Sequence, residues 1–331
     1  MNLLVTGGAG FIGSHFIRYM LKRYPGYNII NFDKLTYAGN LDNLKAVEDL
    51  PQYRFFCGDI MNPTAVREVL GTYEIQAIIN FAAESHVDRS INDPGIFIQT
   101  NVVGTQVLLE AAREFGVKKY IQISTDEVYG SLGAEGYFTE SSPIAPNSPY
   151  SASKAGADLL VRAYHETYGM NCNITRCSNN YGPFHHPEKL IPLMIIRALQ
   201  HEKLPVYGDG LNIRDWLHVE DHASAIDLVL HQGQPGEIYN IGGHNERRNI
   251  DVVKLILQEL GQPVDLISYV EDRKGHDRRY AIDPTKIVQE LKWQPVYTFE
   301  EGLRETVEWY QKNKEWWLNI GRQKQAAEFY I

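Results

Sequence analysis

The sequence predicts a doubly wound α/β fold, a parallel sheet covered on both faces. Three observations carry that expectation. Short apolar runs alternate with longer segments of helical spacing through the first half of the chain. A glycine cluster stands between the first run and the first helical segment, and the second run ends on Asp33, twenty residues beyond Gly13. Strand–helix alternation builds parallel sheets, with ligand sites outside the carboxyl ends of the strands.

Taken in order, residues 3–6, 28–32, 54–57, 75–81 and 120–124 read as strands. Residues 14–23, 63–70, 97–115 and 155–168 carry helix spacing. After about residue 180 the rhythm loosens through Tyr181-Gly182-Pro183-Phe184-His185-His186-Pro187, a turn-rich break. A helix is expected over 189–201. Strands at 216–219 and 237–241 are expected to return to the sheet around a helix at 221–231. Further helices are expected over 250–260, 284–291 and 299–319. The implied organisation is a Rossmann-like domain from 1–180 plus about 215–241. A smaller mixed α/β substrate domain would come from about 181–214 plus 242–331.

Composition narrows the class. The 331 residues are 44% apolar and 22% charged, which excludes a disordered chain and gives ample length for a core. Forty-one acidic against 32 basic residues leave a formal charge of −9. Such a chain has no broad electrostatic footprint for nucleic acid or anionic membrane, and neither partner is expected. Cys57, Cys172 and Cys177 are odd in number and lack CxxC spacing, as free thiols in a reducing compartment would be. The first residues lack a basic leader region, and no run approaches a bilayer span. The expectation is a cytoplasmic protein without a metal.

Three constellations carry chemistry. Gly7-Gly8-Ala9-Gly10-Phe11-Ile12-Gly13 contains GxGxxG at Gly8, Gly10 and Gly13, between a strand and a helix. Such a turn lets a pyrophosphate approach the helix N-terminus, and Asp33 can accept hydrogen bonds from a ribose while repelling a 2′-phosphate. NAD is therefore expected over NADP. Asp59, after the third strand, is placed to meet the adenine edge, and the small residues of Phe81-Ala82-Ala83-Glu84-Ser85 let backbone pass close to a cofactor. Tyr150-Ser151-Ala152-Ser153-Lys154 puts a phenol and an ammonium on one helical face. The cation is expected to favour phenolate, a base for removing an alcohol proton during hydride transfer. Thr125-Asp126-Glu127 follows the fifth strand; a turn after Ser124 would bring both carboxyls to one cleft, where different surroundings can split them into acid and base. Downstream, Lys189, Arg214, Arg273 and His276 are cations suited to a diphosphate.

With these motifs the chain resembles the extended short-chain dehydrogenase/reductases and, within them, the dTDP-glucose 4,6-dehydratases. The resemblance runs through Asp33-Lys34-Leu35-Thr36-Tyr37-Ala38-Gly39-Asn40 and Ala82-Ala83-Glu84-Ser85-His86-Val87-Asp88-Arg89-Ser90. It continues through Arg176-Cys177-Ser178-Asn179-Asn180-Tyr181-Gly182-Pro183, Pro187-Glu188-Lys189-Leu190-Ile191-Pro192, Asn212-Ile213-Arg214-Asp215-Trp216 and Gly275-His276-Asp277-Arg278-Arg279-Tyr280. The glycine motif and YxxxK mark only the superfamily; Thr125-Asp126-Glu127 and the downstream segments narrow it.

The resemblance implies that Tyr150, helped by Lys154 and Thr125, takes the sugar 4-hydroxyl proton while C4 gives hydride to NAD. It makes Glu127 the base at C5 and Asp126 the acid for the departing 6-hydroxyl. It also implies a cofactor site of Gly7, Gly10, Phe11, Ile12, Gly13, Asp33, Lys34, Leu35, Thr36, Asp59, Ile60, Phe81, Ala82, Ala83, Glu84, Ser85, Thr100, Tyr150, Lys154 and Asn180. Ser85, Thr125, Asn179, Lys189, Leu190, Pro205, Tyr207, Arg214, Asn249, Arg273 and His276 would face dTDP-glucose. A homodimer would pack through helices 97–115 and 155–168, and the product would serve dTDP-rhamnose or related deoxysugar synthesis. Two other readings stay open on the residues: a UDP-sugar 4-epimerase or UDP-glucuronate decarboxylase, and a non-catalytic NAD-sensing protein. The first has no task for an acid–base pair acting at C5 and C6; the second has none for Tyr150 and Lys154.

Overall fold

The computed structural model describes residues 1–272 and 275–328. Arg273, one of the expected diphosphate ligands, lies outside the described residues. The strands are β1 (Asn2–Thr6), β2 (Asn28–Asp33), β3 (Tyr53–Cys57), β4 (Ala77–Asn80), β5 (Lys119–Thr125), β6 (Cys172–Cys177), β7 (Asn179–Tyr181), β8 (Leu204–Tyr207), β9 (Ile213–His218), β10 (Ile238–Ile241), β11 (Glu246–Arg248) and β12 (Ile267–Val270). The α-helices are α1 (Phe11–Arg23), α2 (Pro63–Tyr73), α3 (Val87–Asn92), α4 (Pro94–Phe97), α5 (Gly104–Glu114), α6 (Pro149–Tyr168), α7 (Leu190–Leu199), α8 (Val219–Gln232), α9 (Asn249–Glu259), α10 (Thr285–Leu291), α11 (Phe299–Lys312) and α12 (Lys314–Glu328).

Side-chain alternation decides which helices cover which face of the large sheet. Leu3 and Val5 point one way, into a core with Phe16, Ile17 and Met20 of α1 and Ile226 and Val229 of α8. Leu4 points the other way, against Val66 and Val69 of α2, Leu108 and Leu109 of α5, and Val161 of α6. The sheet has seven strands in the order β10-β6-β5-β4-β1-β2-β3, paired in parallel throughout. This is the doubly wound, Rossmann-like arrangement the sequence predicts. Strand order reverses direction between β1 and β4, and a cleft opens there at the strands' carboxyl ends.

A second core gathers α7, α9 and α11 around β8 and β9. Its sheets are small: β9 pairs in parallel with β7 and antiparallel with β11, while β8 pairs with β12. Here two expectations need correction. The run at 216–219 does not return to the large sheet; it belongs to β9, whose partners are β7 and β11. The place beside β5 is filled instead by β6, a strand the sequence reading leaves unassigned because Asn173, Thr175 and Arg176 interrupt its apolar pattern. The predicted strand at 237–241 does join the large sheet, as β10 beside β6.

Two predicted helices are also divided. Between α4 and α5 the segment Ile98–Val103 is π-helical, a widening often found at functional sites. Asn101 there accepts a hydrogen bond from Glu84 N at 2.9 Å and donates to Ser153 Oγ at 2.8 Å, tying the strand-end loop to α6. The predicted helix 299–319 breaks at Asn313, whose amide donates to Trp309 O at 2.9 Å and ends α11. The turn sends α12 back so that Trp316 Nε1 reaches Asn43 Oδ1 at 3.0 Å.

The glycine turn is set by a close approach. Gly7 has φ +68°, and a Cβ there would lie 2.6 Å from Ala82 N. Gly7→Ala is expected to destabilise the protein by about 1–3 kcal/mol through left-handed strain and overpacking. Gly133→Ala, where a Cβ meets nothing within 4 Å, is expected to stay within about 0.5 kcal/mol of the parent. Urea unfolding of both variants checks the contrast.

Candidate active site

The cleft begins where β1 turns into α1. Gly10 caps α1 without a side-chain hydrogen bond, and no acidic residue occupies the first helical turn. The helix start therefore presents backbone donors and a positive dipole end that the chain itself does not neutralise. At the end of β2, Asp33 is held by two backbone amides, Ala9 N to Oδ2 at 2.9 Å and Leu35 N to Oδ1 at 2.8 Å. Burial pushes its carboxyl upward while these amides favour the charged form. Each oxygen keeps a further lone pair for a ligand hydroxyl. Asp59, on the rim after β3, pairs with Lys34 at 2.7 Å. A glycine turn, an unneutralised helix start and a fixed carboxylate fit a dinucleotide.

Of the expected cofactor residues, nearly all line this chamber of about 360 Å³. Leu35 is the exception: its side chain is exposed, at φ 54°, and its amide serves only to hold Asp33. Thr100 reaches the wall from the π-helical segment, and Asn180 from β7.

The reactive groups meet at the other end of the chamber. β5 runs to Thr125, then turns at once into a 3-10 turn, Asp126–Tyr129. Thr125 Oγ1 accepts from Glu127 N and donates to Asp126 Oδ1, both at 3.3 Å. Helix α6 starts one residue before Tyr150, fixed by a Ser148–Ser151 capping box with Pro149 at its first position. Tyr150 thus stands in the first turn and Lys154 one turn later, where Lys154 Nζ donates to Ile123 O at 2.5 Å. Tyr150, Lys154, Thr125 and Glu127 line the chamber together.

The expectation that both carboxyls reach one cleft needs correction, because the turn buries Asp126 while Glu127 stays at the cleft. Glu127 faces both this chamber and the next. Asp126 is sealed in, 1% exposed, and lines neither; its Oδ2 has no hydrogen-bond partner among the described residues. Burial first, then the neighbouring Glu127 and Asp215, push Asp126 well above the usual carboxylate range, against the opposing pull of Arg214 and Thr125. Its surroundings therefore favour the proton-carrying form of Asp126.

Tyr150 corrects an expectation. Its phenol is raised, not lowered: burial dominates, and Glu127, Cys177 and Asp126 add to it, with Thr125 opposing. Lys154 stands one turn away, yet its charge does not outweigh removal of the phenolate from water.

A second chamber of about 210 Å³ adjoins the first through Ser85, Glu127, Asn179, Lys189 and Leu190. Pro205, Tyr207, Arg214, Asn249 and His276, all expected substrate residues, line it. Arg214 lies over the Tyr280 ring at 4.4 Å and donates to Asp277 O at 3.0 Å, which fixes the guanidinium. Lys189 Nζ donates to Ser85 O at 3.0 Å, and His276 Nδ1 meets Asp272 at 2.6 Å.

Several lining residues escape the sequence reading. Tyr37 stacks beneath Arg89 at 3.7 Å and edges against His186, closing the first chamber. Trp316 and Ile320 reach it from α12, at the far end of the chain. Tyr280 and Asp277 wall the second chamber. His185, His186 and Tyr280 fall inside motifs the sequence reading quotes; Trp316 carries no local mark at all.

Buried acidity has a measurable consequence. A carboxyl whose folded pKa lies above its unfolded value costs stability as pH rises from the unfolded pKa towards the folded one. Asp126→Asn removes that cost. The variant is expected to melt higher than the parent at pH values above the ordinary carboxylate range, with the gap closing as pH falls towards it. A lower Tm across the range contradicts the assignment.

Comparison with known proteins agrees with this geometry. The family profile described as GDP-mannose 4,6 dehydratase matches residues 4–306. A dTDP-glucose 4,6-dehydratase of Xanthomonas campestris pv. campestris is 54% identical, over 95% of this chain and 94% of its own. The solved dTDP-glucose 4,6-dehydratase of Streptomyces venezuelae, with NAD and dTDP bound, is 52% identical with a TM-score of 0.94, over 97% of this chain and all of that one. A UDP-glucose 4-epimerase of Thermotoga maritima shares the fold at 31% identity, TM-score 0.88, over 94% of this chain and 99% of its own. The backbone is common to both activities, and the higher identity lies with the dehydratases. The chain belongs to the dTDP-glucose 4,6-dehydratase family of the extended short-chain dehydrogenase/reductases.

Proposed function

We propose that the protein converts dTDP-glucose to dTDP-4-keto-6-deoxyglucose and water. One observation carries the reading: Asp126, buried and with its carboxyl pushed well above the usual range, adjoins Glu127, which shares a cleft with Tyr150 and Lys154. A 4-epimerase has no use for that acid–base pair. When bound, NAD supplies a hydride acceptor at C4 and a hydride donor at C6. Asp33 and the α1 start would hold it, and Arg214, Lys189 and His276 would hold the nucleotide diphosphate, with Arg273, outside the described residues, expected beside them. Tyr150 takes the 4-hydroxyl proton, with Thr125 as hydrogen-bond partner and Lys154 as nearby positive charge. The resulting ketone acidifies C5–H, and Glu127, at the junction of the chambers, removes that proton. Asp126, which lines neither chamber, reaches the departing 6-hydroxyl with its proton by way of Thr125, which bonds its carboxyl and lines the cleft. Water leaves; Glu127 gives its proton back to C5 while bound reduced NAD would supply the hydride to C6, and the proton taken by Tyr150 balances the one lost by Asp126.

The protein is further proposed to work as a cytoplasmic homodimer in dTDP-rhamnose or related deoxysugar synthesis. Exposed Ile98, Val103 and Leu159, at 46–54% accessibility, place an apolar surface along the π-helical segment and α6. Three free cysteines suit a reducing compartment, and no helix among the described residues is long and apolar enough to cross a membrane.

The steps separate by mutation. Asp126→Asn and Glu127→Gln are expected to slow turnover about 10²–10⁴-fold while leaving C4 oxidation intact. Reduced nicotinamide absorbance should therefore accumulate on adding dTDP-glucose. Tyr150→Phe should suppress that absorbance itself. Normal turnover in both carboxyl variants overturns the assignment. Arg214→Ala should raise KM about tenfold or more with a smaller change in kcat, as loss of a charged contact implies; an unchanged KM removes Arg214 from the binding site.

A further inference from the structure

Behind Lys154 lies an ion pair for which the chemistry above has no task. Asp158 stands one helical turn beyond Lys154 on α6, and Arg176 stands on β6 opposite Ser124 of β5. Arg176 Nε donates to Asp158 Oδ2 at 2.9 Å, and the two side chains are 2% and 1% exposed. Withdrawing both charges from water is costly, and apolar residues of similar volume fill such a space at least as stably. Stability alone is a weak reason for the pair. Ser124 also supports the Asp158 carboxylate. Ser124 follows Ile123, whose carbonyl receives Lys154 Nζ. On its far side Arg176 is fixed by the Tyr129 ring, 4.8 Å from its guanidinium, and Tyr129 Oη donates to Asn240 Oδ1 at 2.8 Å.

We propose that Asp158, clamped by Arg176, is a positioning residue that keeps the Lys154 ammonium charged and held at the Ile123 carbonyl, one helical turn from Tyr150. The proposal rests on the reading that Tyr150 and Lys154 serve oxidation at C4. The electrostatic surroundings agree. Burial pulls Lys154 down, and the leading opposition comes from Asp158, followed by Cys177. The Cys177 thiol is itself pushed up to about 12 by burial, so it is uncharged at working pH. Burial pushes Asp158 up, and Arg176 leads the opposition, with Ser124 and Lys154 behind it. Lys154 therefore depends on Asp158, and Asp158 depends on Arg176.

The test must separate this role from plain packing. Asp158→Asn alone strands a buried guanidinium and can fail to fold, so the decisive variant is Asp158→Asn with Arg176→Met, which removes both charges. In [15N]lysine-labelled protein, the Nζ resonance of Lys154 is assigned by its loss in Lys154→Met and followed against pH. The double variant is expected to titrate at Lys154 about one pH unit or more below the parent. The alkaline limb of nicotinamide reduction by dTDP-glucose should move down with it, with KM little changed. A folded double variant with the parent's Nζ midpoint and the parent's alkaline limb overturns the proposal and leaves the pair structural. A shifted Nζ midpoint in a protein whose parent form reduces no nicotinamide with dTDP-glucose supports the clamp and overturns the dehydratase reading instead.

Discussion

The site depends on one desolvated carboxyl. Asp126 is buried beside Glu127 with no ion pair to a cation among the described residues, so its surroundings favour the protonated form. Glu127, its sequence neighbour, faces the open cleft. Two adjacent carboxyls thereby receive different surroundings, the condition for dividing acid from base. The 3-10 turn immediately after β5 produces the split; a continued strand would alternate the two side chains across the sheet, without the Thr125 cap that holds both.

The rest of the fold can be understood as support for that turn. β6 flanks β5 along its whole length and brings Arg176 and Cys177 up behind the reactive residues. The capping box at Ser148 sets the start of α6, and with it Tyr150 and Lys154. The second core carries β9, which delivers Arg214 and Asp215 against Asp126 from the opposite side, one charge of each sign. That core therefore both lines the second chamber and brings charge to bear on Asp126. The two chambers meet at Glu127, where the sugar of a nucleotide sugar would face the reactive end of the cofactor chamber.

Local chemistry was legible in the sequence wherever one short segment carried it. The glycine turn, Asp33, and the Tyr150–Lys154 spacing each depend on a few neighbouring residues, and the structure places each at the cleft. What was not legible depended on distant pairing. β6 hid because polar residues interrupt its apolar pattern, and the partner that lets Arg176 be buried, Asp158, comes from α6. The destination of β9 was set by β7 and β11, which no local pattern distinguishes from the large sheet. Trp316 closes the cofactor chamber only because Asn313 ends α11 and turns α12 back. The state of Tyr150 is hidden for the same reason: helical spacing shows the nearby lysine, while burial and two carboxyls enter only through the tertiary structure.

The protonation of Asp126 can be observed without turnover. Infrared difference spectra between the parent and Asp126→Asn at neutral pH isolate that one carboxyl. The expected result is a carbonyl stretch of a protonated carboxylic acid in the parent, absent from the variant and persisting above the pH at which ordinary aspartates have ionised. Carboxylate bands alone, with no acid carbonyl at neutral pH, would contradict a proton-carrying Asp126 and the division of labour built on it.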